Sequence, residues 1–248
     1  MCDASVKDKV KRPSKNTDMR NNYSRSDLVM EWAKVFHWAE KRHFQLAIHG
    51  VAPKRQRRIE IDLRRLSERK KLRTARYGKK LVYALPRTTK NFDEFEMMSK
   101  IRHGLACTEC LVRCYRSRVD GEIIAERFFR GCGSVPEWGI RYPGNTMLLG
   151  EFCTRSNVLY HENINGKFNA YHNNLEGIEE KFGSFAVVVF VLDITREQVR
   201  SSVRKWKPVG PYYFTDYKTF LGVPLGQQLT APIYFWIDGK EYSLRKND

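Results

Sequence analysis

Residues 135–155 read VPEWGIRYPGNTMLLGEFCTR. Two runs of alternating character flank Pro143-Gly144-Asn145, a turn-forming triplet. With Gly144 at the centre of a hairpin loop, Tyr142 opposes Thr146, Ile140 opposes Leu148 and Glu137 opposes Glu151. Strand alternation puts Glu137, Arg141, Leu149, Glu151 and Cys153 on one face. Trp138, Ile140, Tyr142, Leu148 and Phe152 fall on the other, which reads as a core face. Directly opposed side chains have Cβ atoms about 4.5–5.5 Å apart. Two carboxylates that close repel unless a cation, a proton or an Arg lies between them. A hard divalent cation such as Mg²⁺ takes carboxylate oxygens of this kind. Arg141 or solvent screening are the other ways to relieve the pair.

Outward from this hairpin the patterns alternate. A helix is expected over residues 93–116 and a β-like run over 122–129. A second helix is expected over 165–182, leading to the apolar strand 185–192. Thr195 can cap a helix reaching Trp206, and 212–215 reads as a strand. Residues 233–237 and 241–244 flank Asp238-Gly239, a hairpin signal. The longest apolar run is far too short to span a bilayer, and residues 1–22 contain no apolar segment of a secretory signal. These features, with six cysteines in 248 residues, predict a cytoplasmic protein with no membrane contact.

Charge divides the chain. Lys and Arg number 45 against 28 Asp and Glu, a net of +17. Residues 1–90 hold 25 of those cations and 9 of the acids, leaving 20 and 19 for residues 91–248. Basicity confined to one end points to a polyanion-binding module on a near-neutral body. Residues 1–22 read as a basic flexible arm. Ser26 is the expected cap of a helix over 27–41, followed by a short helix over 43–49. A third helix begins near Pro53, with Ile59, Leu63 and Leu66 as its buried stripe. Lys54, Arg55, Arg57, Arg58, Arg64 and Arg65 lie mostly off that stripe. Strands over 72–76 and 79–85 surround Tyr77-Gly78, with Lys79 and Lys80 near the tip. Three helices and a basic hairpin are the order of a winged helix-turn-helix domain, here residues 23–90. Its third helix would enter the major groove of duplex DNA and its hairpin would lie on the phosphates.

Pro136-Glu137, a hairpin, then Glu151-Phe152-Cys153 resembles the PD-(D/E)xK nuclease pattern. The order helix, three strands, helix, strand fits the core of that superfamily. Gly166-Lys167-Phe168-Asn169-Ala170-Tyr171, followed by the apolar strand, is similar to the replication-relaxation family of plasmids and other mobile elements. That family places a winged helix before a nuclease-like domain. The basic helix and hairpin, and His103 early in the next region, agree with that layout. The resemblance implies an α/β (α+β) chain: a winged helix-turn-helix domain, then a restriction-endonuclease-like domain over 91–248 with a central mixed sheet. It implies Glu137 and Glu151 as metal ligands and catalytic groups, with Mg²⁺ or Mn²⁺ if the domain is catalytic. Two positions depart from the pattern. Glu137 replaces the motif Asp, and Cys153 stands where the motif Lys belongs. In the superfamily that Lys can migrate to the next helix, which makes Lys167 the catalytic candidate, with Lys181 and Arg155 behind it. Glu109 offers a further ligand, although a helix-surface acid is the plainer reading.

His103, Cys107, Cys110 and Cys114 form one helical stripe. Its ends lie about 16 Å apart at 1.5 Å per residue, too far for one zinc site. Small buried thiols on a core face account for the cysteines, and Cys132 or Cys153 would be needed to complete any metal site. Three functions emerge: a metal-dependent DNA endonuclease or nickase of a mobile element, a DNA-binding regulator of replication, transfer or transcription with an inactive nuclease fold, and an RNA-binding module. The partners expected are double-stranded DNA and other replication, transfer or transposition proteins of the same element, which makes the chain DNA-associated.

Overall fold

The computed structural model describes residues 24–50, 56–86, 94–117, 121–129, 136–144, 146–153, 161–191, 212–227, 234–237 and 240–243, with positions 195, 197, 198 and 201. The arm over 1–22, the Asp238-Gly239 turn and most of the helix expected up to Trp206 lie outside the described residues. The chain divides by packing into two compact units, with the boundary between Arg116 and Ser117.

The N-terminal unit opens with α1 (Arg25–Val35). Ser24 caps it: its Oγ accepts from the Asp27 N–H at 3.2 Å, and the Ser24 N–H donates to the Asp27 carboxylate at 3.0 Å. This reciprocal box satisfies two donors that a helix start leaves open. Ser26, the cap expected from sequence, instead donates to Asp62 at 3.2 Å. The helix stops at Val35 because Phe36 turns extended, and Ala39–Glu40 forms the short strand β1. α2 (Lys41–His49) and α3 (Gln56–Glu68) follow. Then come β2 (Arg73–Tyr77) and β3 (Lys80–Ala84). The three strands are antiparallel in the order β1-β3-β2. α4 (Glu94–Ser117) belongs to this unit. Its Ile101 and Leu105 bury against Trp38, Val82 and Ala84, so the unit runs past residue 90, where the charge balance changes.

The C-terminal unit is built on a seven-stranded sheet. Its strands are β4 (Glu122–Ala125), β5 (Trp138–Tyr142), β6 (Thr146–Cys153), β7 (Ser184–Val191), β8 (Tyr212–Asp216), β9 (Tyr234–Ile237) and β10 (Lys240–Ser243). They lie in the order β10-β9-β8-β7-β6-β5-β4. β4 to β6 are antiparallel, β6 to β8 parallel, and β8 to β10 antiparallel again. A parallel step needs a crossover. Between β6 and β7 it contains α5 (His161–Asn173) and α6 (Leu175–Phe182). The sequence reads as one helix there, but the chain breaks at Asn174, whose amide donates to the Ala170 carbonyl at 2.8 Å. α7 (Tyr217–Gly222) follows β8.

The β5–β6 register has Tyr142 opposite Thr146, Ile140 opposite Leu148 and Trp138 opposite Gly150. Gly144 turns the hairpin at φ 87°, which a side chain would resist. Gly150 matters for a different reason: a Cβ there would lie 2.2 Å from the Trp138 ring. Both faces of β6 are buried, Leu149 and Cys153 as well as Phe152, whereas the alternation marked only one as core. The whole is a mixed α/β chain of the α+β kind. Among the described residues no helix is long and apolar enough to cross a membrane.

Candidate active site

Glu151 sits near the end of β6 with 3% of its surface exposed. A buried carboxylate needs partners, and α5 supplies two. The Tyr171 hydroxyl donates to Oε1 at 2.6 Å, and the Lys167 ammonium pairs with Oε2. These residues are four apart, so they share one helix face. Phe168 holds the helix in place: its ring packs 4.5 Å from Tyr212 and 5.9 Å from Phe214, centroid to centroid, on β8. The Tyr212 hydroxyl also donates to the Phe168 carbonyl at 3.3 Å.

Glu137 precedes β5 by one residue and is half-buried. Its N–H donates to the Gly150 carbonyl at 2.9 Å, carrying the hairpin pairing one step further. Its charge is felt by Glu151, Lys167 and Cys153. Glu126, which the sequence reading passed over, brings a carboxylate oxygen within 4.8 Å of one on Glu137. The pairing of β4 with β5 is the signal that could have found it. Arg141, one of the alternatives to a metal for relieving the acidic pair, faces Glu122 across that same pairing at 3.6 Å. Lys167 does the neutralising instead.

Burial pushes the Glu151 carboxyl above its ordinary range, against the pull of Lys167 and Tyr171, and the Glu137 charge adds to the rise. For Lys167, burial alone would lower the pKa, but the charge and hydrogen bond of Glu151 outweigh it and hold the ammonium charged. The Lys167 side chain is 37% exposed. The pair thus has a buried anionic end and a cationic end that reaches solvent. Cys153 is buried, and burial first of all drives its thiol up to about 12. It is a neutral space-filler and no nucleophile.

Glu137 and Glu151 offer a divalent cation hard oxygen donors, and each Glu151 oxygen keeps a second lone pair beside its hydrogen bond. The donor set therefore fits Mg²⁺ or Mn²⁺. Among the described residues, Glu151 belongs to no group of three such side chains gathered within 4.8 Å.

The basic residues of the N-terminal unit are placed as follows. Arg58, Arg64 and Arg65 are exposed on α3, and Lys79 and Lys80 are exposed at the β2–β3 turn. Arg64 lies 3.7 Å from Glu68, and Lys80 lies 3.0 Å from Glu40. Lys54, Arg55, Arg155 and Cys132 lie outside the described residues, as do the side chains of Arg57 and Lys181.

Glu109 corrects the reading of it as a surface acid: it is 1% exposed. His43 Nε2 and an Arg42 nitrogen each lie 2.8 Å from Oε2, and Arg113 donates to Oε1. His43 Nδ1 accepts the Glu40 N–H at 3.0 Å, so the ring proton is on Nε2 and the imidazole is neutral. Burial lowers the His43 pKa. Burial would raise that of Glu109, but His43, Arg42 and Arg113 together hold it down to about 2. Cys107, Cys110 and Cys114 are buried on the same helix. Burial pushes the Cys110 and Cys114 thiols up, which fits core side chains. No protein-family model matches the chain, and no curated protein matches it.

Proposed function

We propose that the chain is a DNA-binding protein of a mobile element, of the replication-relaxation kind, with a winged helix at its N-terminus and a metal-dependent PD-(D/E)xK nuclease-like unit behind it. The observation that carries this reading is the meeting of Lys167 with Glu151, beside Glu137. Cys153 leaves the motif cation missing from β6, and α5 returns one, Lys167, from 16 residues beyond Glu151. The element order β4-β5-β6, α5, β7 within the C-terminal unit supports the same reading. So does the combination of three helices with a basic hairpin in the N-terminal unit.

In this reading Glu137 and Glu151 would hold the cation, which when bound polarises a scissile phosphate and lowers the pKa of water. Tyr171 fixes the Glu151 rotamer. Lys167, charged and half-exposed, orients the attacking water or the phosphate oxygen. Exposed cations on α3 and the β2–β3 turn hold the duplex by its phosphates.

A second reading has its own observation. Both Glu151 oxygens already accept a protein donor, and the carboxylate is almost wholly buried. That suits a structural ion pair in an inactive nuclease fold, hence a DNA-binding regulator. Incubation with supercoiled plasmid and Mg²⁺ or Mn²⁺ separates the two. The first reading requires nicking by the native chain and none by Glu151→Ala. Retention of DNA without nicking leaves the regulator.

A further inference from the structure

Ion pairing divides the cations of the N-terminal unit into two sets. Arg25 pairs with Asp62, Lys34 with Glu31, Lys41 with Glu60, Arg64 with Glu68 and Lys80 with Glu40. Arg58, Arg65, Arg69, Lys70, Lys71, Arg76 and Lys79 are exposed and ion-pair with no described residue. The first five are not scattered. Positions 58, 65 and 69 follow one edge of α3 and its last turn at spacings of seven and four. Lys70 and Lys71 continue directly from that edge.

The turn itself carries a second signal. The Lys71 N–H donates to the Leu66 carbonyl and the Lys70 N–H to the Ser67 carbonyl, both at 2.9 Å. This is a Schellman ending, with Lys70 at the left-handed position. Its φ is 55°, and no other described non-glycine residue has a positive φ. Glycine or asparagine suits that position, and a Lys is strained there. Three consecutive cations with no internal anion also repel one another. The fold therefore carries both backbone strain and uncompensated charge at one exposed turn. Strain of this kind persists where a ligand uses it.

We propose that Arg69, Lys70 and Lys71 form a phosphate clamp, gripping the sugar-phosphate backbone of duplex DNA and extending the row begun by Arg58 and Arg65. The left-handed turn bends the backbone back so that consecutive side chains can reach one strand of phosphates. The clamp rests on the DNA-binding reading above and adds a contact separate from the basic hairpin.

The test is duplex affinity of the full chain as a function of salt. Lys70→Gly restores the residue the turn prefers, so its thermal midpoint should be no lower than that of the native chain. Its slope of log affinity against log salt should nevertheless become shallower by about one. Adding Arg69→Ala and Lys71→Ala should flatten the slope by about three, equally on duplexes of different sequence. Lys41→Ala, which removes a paired cation, should leave the slope unchanged. A native slope in the triple variant overturns the clamp while leaving DNA binding intact. A flattening by Lys41→Ala as large as by Lys70→Gly also overturns it. Failure of the native chain to bind duplex at all removes the clamp together with the reading it rests on.

Discussion

Two donors from one helix, the Lys167 ammonium and the Tyr171 hydroxyl, reach the buried Glu151 carboxyl inside the sheet. Taking either away leaves a buried acceptor unmatched, and the two losses differ. Tyr171→Phe strands Oε1 and should cost about 1–3 kcal/mol of stability. Lys167→Met removes a charge. Breaking a fully buried pair costs about 3–5 kcal/mol, but the cationic end here is half-exposed, so about 1–3 kcal/mol is expected after screening. Denaturant titration measures both. The functional signature is separate: Lys167→Met should abolish metal-dependent nicking while duplex affinity stays native. A variant that still nicks would show that Lys167 only balances charge.

At the scale of elements, α4 ties α2 into the N-terminal unit through the Glu109 carboxylate, and that tie has a pH signature. Folding lowers Glu109 from 4.5 to about 2 and lowers His43 from 6.5. The unfolded chain therefore binds more protons than the folded one below those unfolded values. The stabilisation is complete above about pH 6.5. It erodes first as His43 is asked to take a proton, then between pH 4.5 and about 2 as Glu109 is protonated, where on the order of 3 kcal/mol is lost. Thermal melts across that range should show the fall, and Glu109→Gln should flatten it below pH 4.5. The β5–β6 hairpin makes a simpler prediction. Gly150→Ala drives a methyl into the Trp138 ring and should cost about 1–3 kcal/mol, seen as a lower thermal midpoint.

These two elements also show what the sequence could disclose. The hairpin register was legible because Pro143-Gly144 fixes the turn and alternation fixes the faces, both local rules. The rest of the Glu151 site was legible only through family resemblance, since Lys167 stands on a different element. Glu109 was not legible. Its partners His43 and Arg42 come from a helix 66 and 67 positions earlier, and a helix buried on several sides has no periodicity to mark an acid as internal. The end of α1 was missed for a related reason: Phe36 looks like a continuing apolar face until β1 pairs with β3.

On the scale of the whole molecule, charge is partitioned. The first 90 residues hold 25 of the 45 Lys and Arg. Duplex affinity should accordingly fall steeply with salt, and Arg58→Ala with Arg65→Ala should weaken and flatten it; filter retention across salt concentrations reads this directly. Lys79→Ala should act more mildly. The mixed sheet has a further consequence, for the timing of folding. β4, β5 and β6 meet through short antiparallel steps, but β7 cannot join β6 until residues 154–183 have been synthesised, nor β8 join β7 before 192–211. Non-local parallel pairing is slow. On the ribosome the hairpin waits with the unpaired edge of β6 exposed, a surface open to wrong partners. Glu151 waits there too, without Lys167 or Tyr171. The charged centre of the unit is thus assembled late in its folding, and a stalled or truncated chain would present a bare, mostly apolar strand edge with Glu151 unpartnered in its place.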